Sequence, residues 1–92
     1  MSLTFFRNAV YNSLVNGRIP ILHAKTQALP YYNNVAMNHY IAIQAYDSDS
    51  DTVTLYDPNN NSSYNGVHDV YCQAALNSIK NYSGRYLIYY AN

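Results

Sequence analysis

The groups in this chain that could move protons or attack a carbonyl are three histidines, five aspartates and one cysteine, and glutamate is missing altogether. Two of them stand out by position. His39 lies near the start of Asn38-His39-Tyr40-Ile41-Ala42-Ile43-Gln44-Ala45-Tyr46, and Asp57 ends Asp51-Thr52-Val53-Thr54-Leu55-Tyr56-Asp57-Pro58. Both stretches alternate apolar and polar residues as half-buried strands do. Folded back on each other as a hairpin, they bring an imidazole and a carboxylate to the same end of one sheet. An imidazole becomes an effective base when a neighbouring carboxylate fixes its tautomer and steadies its protonated form. A plainer account uses the same residues: a strand-end histidine bonded to a backbone carbonyl, and an aspartate that opens a turn. What separates the two is a nucleophile.

Cys72 is the chain's only thiol. Placed in the first turn of a helix, it would feel the helix dipole, which lowers a thiol pKa. It is still the less favoured nucleophile, because a helix following the hairpin packs away from the histidine end, and a buried structural thiol is the simpler role. Ser13 and Ser83 have no better claim. His23 and His68 complete a set of three imidazoles, but the three sit on separate elements without the spacing that presents ligands on one face, so no metal site is expected. The alternating aspartates of Asp47-Ser48-Asp49-Ser50-Asp51 lack the glycine and distal glutamate of an EF-hand and read as a solvated turn.

The elements that must position these residues follow from periodicity. Leu3, Phe6, Val10 and Leu14 recur at helical spacing, with Ser2 or Thr4 as a cap and Gly17 as terminator, which predicts a helix over about 3–16. Arg18-Ile19-Pro20-Ile21-Leu22-His23 is a short strand, and Pro20 restricts it to a sheet edge or to the strand's first residues. Residues 24–37 have no clear period and read as a loop at the mouth of a cleft, in which Tyr31 and Tyr32 could stack on a ligand or simply cover the core edge. A polar loop, Asn59 to Gly66 and including Tyr64, should be mobile. Gly66-Val67-His68-Asp69 leads into a helix capped by Asp69 over about 69–82, where Tyr71, Ala75, Ile79 and Tyr82 share a face. Arg85 to Tyr90 supplies a last strand. The order helix, strand, hairpin, helix, strand predicts an α+β domain on an antiparallel sheet.

Ninety-two residues predict a single domain spanning 1–92, with Met1-Ser2-Leu3 reading equally well as a cloning leader. Of the 49% hydrophobic residues, twelve are tyrosines whose phenols need water or a partner, so the core is thin and a homo-oligomer is a natural way to thicken it. Zero formal net charge with 11% charged residues disfavours nucleic acid. No apolar run reaches the roughly 20 residues of a membrane span, and no signal peptide is visible. The surplus of asparagine, serine and tyrosine resembles that of secreted bacterial proteins and points to an extracellular or cell-surface setting.

Three segments together carry a family resemblance: Leu14-Val15-Asn16-Gly17-Arg18-Ile19-Pro20-Ile21, then Asn38-His39-Tyr40 running to Asp47, then Val53-Thr54-Leu55-Tyr56-Asp57-Pro58. Over about residues 10–58 they resemble the C-terminal half of the C39-like cysteine peptidases, a papain-like group. The resemblance implies a papain-like half-domain with a His/Asp hairpin over about 38–57, flanking helices over about 3–16 and 69–82, His39 as general base, Asp57 as its orienter and no cofactor. Asn38 departs from the family's glycine, a change that asparagine's tolerance of unusual backbone angles makes acceptable. The family's nucleophilic cysteine and the glutamine before it, both upstream of the histidine, have no match. The chain is therefore expected to be a hydrolase only when joined to an upstream Cys-bearing segment, acting on a peptide substrate, and to be inactive alone. The rival expectation is a non-catalytic module that keeps the sheet and holds a peptide or glycan, or a second copy, through Tyr31, Tyr32, Tyr64 and Tyr90.

Overall fold

The computed structural model describes residues 2–32, 38–57, 66–79 and 88–91. The polar loop with Tyr64, and Tyr82 to Gly84, lie outside the described residues; the second helix, expected to reach about 82, ends at Ser78, because Ile79 leaves helical geometry as its C-cap and bridges to Ala24.

The first helix, α1 (Leu3–Val15), is set by its ends. Ser2 is the N-cap, its hydroxyl accepting from the Phe5 amide at 3.0 Å. At the other end Gly17 adopts φ 71, its amide donates to the Leu14 carbonyl at 3.1 Å, and the Arg18 amide reaches back to Ser13 at 2.8 Å. These two bonds form a Schellman motif, which needs a left-handed residue where glycine stands. Phe6, Val10 and Ser13 form the buried face.

The chain then enters β1 (Ile19–Lys25), makes a 3-10 turn at Thr26–Ala28, and continues through β2 (Asn38–Asp47), β3 (Thr52–Tyr56), β4 (Val67–Tyr71), α2 (Cys72–Ser78) and β5 (Ile88–Ala91). The five strands form an antiparallel sheet in the order β4-β3-β2-β1-β5. The α+β architecture with an antiparallel sheet is as expected, and so is its resemblance to a papain-like half-domain. Leu22, Ala24, Ile41, Ile43, Val53, Leu55 and Val70 share the sheet face that receives Phe6 and Val10 from α1 and Cys72 and Ala75 from α2. No helix of the described residues is long and apolar enough to cross a membrane.

Four sequence expectations change. First, the two places open to Pro20 narrow to one: β1 lies between β2 and β5, so the sheet edge falls away, and Pro20 stands at the strand start as the other alternative had it, before the ladder with β2 begins at Ile21 opposite Ala42. Second, residues 24 and 25 still belong to β1, so the following loop begins later. Third, the alternation along β2 breaks at Gln44. The register with β3 passes from Ile43 opposite Leu55 to Ala45 opposite Thr54, a one-residue bulge that puts Tyr46 on the core side and exposes Ala45.

The fourth change is the largest. Val67–Tyr71 is a strand, and helix α2 starts at Cys72 rather than at Asp69. Val70 is buried while Val67, Asp69 and Tyr71 are exposed, a period of two that the helical reading of Tyr71, Ala75 and Ile79 overrode. Asp69 caps nothing; it accepts from the Thr54 hydroxyl at 2.6 Å, directly across the β3–β4 ladder. Tyr71 is the N-cap of α2 without a side-chain cap bond, and the first amide of the helix, Cys72, donates to the Asp51 carbonyl at 2.9 Å.

Candidate functional site

Hairpin register places the two central residues. Tyr56 lies opposite Ala42, so the next residue, Asp57, falls beside Ile41 on the core side, and His39 is its diagonal neighbour on that same side. Such diagonal neighbours are within reach of long side chains, and here they touch: His39 Nε2 and Asp57 Oδ1 are 2.6 Å apart. Asp57 is almost fully enclosed at 1% exposure, whereas the His39 side chain keeps 22%. An ionised carboxylate can only accept, so a neutral imidazole in this contact with an ionised Asp57 must carry its proton on Nε2, which leaves Nδ1 as the nitrogen to take one. One buried partner and one part-open partner is the arrangement an orienter and a base require.

Asp57 is held from two further directions. Its amide donates to the Gly66 carbonyl, which ties the end of β3 to the start of β4. Its second oxygen, Oδ2, accepts from the Tyr32 hydroxyl at 2.8 Å. The Tyr32 ring is buried in the core, at 2% exposure, so of its two expected roles it takes the one that covers the core and offers no open surface for stacking on a ligand. Burial follows from its phenol having an acceptor inside, which removes the usual reason for tyrosine to face water. Tyr31 does remain exposed, stacks on His68 with ring centroids 4.1 Å apart, and borders a cavity of about 490 Å³ together with Pro30, Asp69 and Val70. Tyr64 lies outside the described residues, and of Tyr90 only the strand position is described.

Cys72 is elsewhere. Its amide is bonded to Asp51, at the opposite end of β3 from Asp57. Six residue steps at about 3.3 Å each put the two ends of that strand roughly 20 Å apart. The thiol is buried, and burial first, then its hydrogen bond to the Asp51 carboxylate, push its pKa up to about 12. The dipole argument for a reactive thiol therefore fails, because desolvation dominates at a helix start turned into the core. Around it, the Arg7 guanidinium makes a bidentate pair with Asp51, through Nε to Oδ1 at 2.8 Å and through Nη2 to Oδ2. The hydrogen bond from Arg7 holds the Asp51 carboxyl below its usual value. Asp51 is thus clasped rather than solvated, while Asp47 makes an Asx turn by accepting from the Asp49 amide at 2.9 Å. Among the described residues, no three His, Cys, Asp or Glu side chains are placed to share a metal ion.

Sequence reasoning missed Tyr32 as a partner of Asp57 and Arg7 as a partner of Asp51. Neither contact leaves a local signal, since the pairs are 25 and 44 residues apart in the chain.

A family model described as the Peptidase_C39 like family matches residues 3–88. No curated protein and no solved structure matches the chain.

Proposed function

The chain belongs to the Peptidase_C39 like family, and on that premise we propose that it is the base-and-orienter half of a cysteine peptidase. His39 is the general base, Asp57 holds it, and the attacking thiol comes from a segment that is not among these 92 residues. The observation that carries this reading is the 2.6 Å contact between His39 Nε2 and an enclosed Asp57 carboxylate, which leaves Nδ1 facing the chemistry. In the thiol-bearing enzyme, Nδ1 takes the thiol proton as sulfur attacks the peptide carbonyl. It returns that proton to the departing amine, and a water molecule then releases the acyl group by the same route. Cys72 takes no part, because it sits at the other end of the sheet with its proton firmly held. The substrate is a peptide, and the extracellular setting proposed for it rests on composition.

The test has two arms. The 92-residue chain alone should show no peptide hydrolysis above background, and a longer product of the same coding region carrying an upstream cysteine should show hydrolysis that is lost in His39→Ala. Turnover by the short chain that persists in Cys72→Ala would sink the claim that the thiol lies elsewhere.

One further observation favours a second reading. The sheet face turned away from the helices exposes Ile19, Tyr40, Tyr56, Val67 and Tyr71, at 40–68% each. A face this apolar suits a non-catalytic module that binds a partner or a second copy. Light scattering decides: a monomer at all concentrations counts against the assembly form of this reading.

A further inference from the structure

Tyr32 reaches Asp57 from a segment without regular structure, and the way that segment is held gives the contact its meaning. The preceding residue, Tyr31, has φ 78, a left-handed conformation that bulky side chains seldom adopt. The twist sends two neighbouring rings in different directions. Tyr31 turns outward onto the imidazole of His68, with planes 7° apart, and Tyr32 turns inward onto Asp57. His68 itself stands on β4 opposite Leu55, two residues before Asp57 on the adjoining strand. The strained residue is therefore braced against the strand next to the one that carries the carboxylate.

A carboxylate on a strand end can rotate about its last torsion, which has a broad and roughly two-fold profile. Here the hydrogen bond from its amide to the Gly66 carbonyl ties down its backbone, and the Tyr32 hydroxyl opposes rotation of the carboxylate by holding Oδ2. With Oδ2 held, Oδ1 stays in line with His39 Nε2. We infer that Tyr32 is a positioning residue, which locks the Asp57 carboxylate so that His39 keeps its proton on Nε2 and its basic nitrogen at Nδ1, with the Tyr31–His68 stack holding the loop that delivers it. This rests on the base-and-orienter reading and adds a third residue to it. A purely structural Tyr32 would fill core volume and satisfy its own hydroxyl without any effect on the imidazole tautomer.

That difference can be measured on the 92-residue chain, with no thiol or substrate present, from the ring nitrogen-15 shifts of His39. In the wild type, the Nε2-protonated tautomer should dominate. Tyr32→Phe keeps the ring and removes only the hydroxyl. The carboxylate, no longer held at Oδ2, can turn Oδ1 out of line with Nε2, and the ratio of Nε2–H to Nδ1–H tautomers should fall about tenfold. Tyr31→Ala leaves Tyr32 intact and removes the brace; the ratio should fall about threefold, in line with the worth of one aromatic stack. An unchanged ratio in Tyr32→Phe overturns the inference and leaves the base-and-orienter reading standing. If Tyr32→Phe does not fold, Tyr31→Ala decides in the same way. A wild-type His39 without any preference for Nε2–H overturns both.

Discussion

The two ends of β3 each carry an aspartate gripped by a side chain from another element, and the carboxylates serve different ends. At one end Asp57 is enclosed, and its partners are an imidazole and a phenol, the first of which has a second ring nitrogen that can take a proton. At the other end Asp51 is part-exposed, and its partner is the guanidinium of Arg7, which stays charged at every accessible pH. The first pairing can move a proton and the second cannot. Cys72, the one group that could turn a base into an enzyme, belongs to the second end, where Asp51 and burial keep it protonated. A carboxylate's role is thus decided by what it faces rather than by its place at a strand end, since both aspartates flank the same strand.

The sharpest way to break this comparison is to remove the group proposed to move the proton. In a thiol-bearing form of the enzyme, His39→Ala should lower kcat/KM by roughly 10³-fold or more, and Asp57→Asn should come close to it, because an amide in place of the carboxylate can hold the wrong tautomer. Arg7→Ala should leave the rate within about twofold, as expected of a surface change remote from the site. A comparable loss in Arg7→Ala would mean that the two ends are not separate. Next in size is thiol reactivity. With its pKa near 12 against an ordinary value of about 8.5, Cys72 should react with iodoacetamide in the native chain roughly 10³-fold more slowly than a free thiol at pH 8. A group whose pKa is raised on folding stabilises the fold fully below its unfolded value and ceases to do so as pH rises through its folded value. The contribution of Cys72 therefore fades between about pH 9 and pH 12. Rapid native alkylation at pH 8 would overturn the structural assignment of this thiol.

How much of this was legible in the sequence depends on the range of the interaction that fixes each part. Helix α1 could be read because its start and stop signals, Ser2 and Gly17, act within four residues of the backbone groups they satisfy. The hairpin could be read because Ile41, Ile43, Val53 and Leu55 repeat with a period of two, and two strands of that period folded on each other bring His39 and Asp57 to one end. Strand β4 could not, because an edge strand with a single fully buried residue, Val70, has too little alternation to outweigh the helical spacing that follows it. The Gln44 bulge carries no residue signature at all. Tyr32 could be read as a ligand-stacking ring or as a cover for the core edge, and only its distant acceptor, which no local pattern marks, decides for the core. Cys72 was correctly placed at a helix start, but the dipole that should activate it is outweighed by a burial that only the packing of α2 reveals.

Stability should separate the two aspartates as well. Asp57→Ala removes an acceptor from Tyr32 and from His39 inside the core, and bonds to a buried charge are worth about 1.5–3 kcal/mol each when broken. Allowing for relaxation, the unfolding free energy should drop by about 3 kcal/mol in urea titrations. Asp57→Asn keeps the volume and should drop less. A loss under about 1 kcal/mol in Asp57→Ala would show that the Tyr32 and His39 contacts are not maintained in solution.

The smallest effect is expected at the Arg7–Asp51 clasp, and its pH dependence identifies it. The Asp51 carboxyl is held below its ordinary value by Arg7, so the pair stabilises the fold fully above the unfolded carboxylate pKa of about 3.9 and ceases to do so as pH falls through the lower folded value. Arg7→Ala removes this contribution at neutral pH and leaves nothing of it to lose in acid. The melting temperatures of wild type and Arg7→Ala should therefore differ by a few degrees at pH 6 and converge as pH falls below the ordinary carboxylate range. Because both groups are part-exposed, 1 M salt should also narrow the gap at pH 6. A gap that persists unchanged at low pH would assign the role of Arg7 to its aliphatic stem packing between α1 and the β2–β3 turn, and the two ends of β3 would then differ in kind and not only in partner.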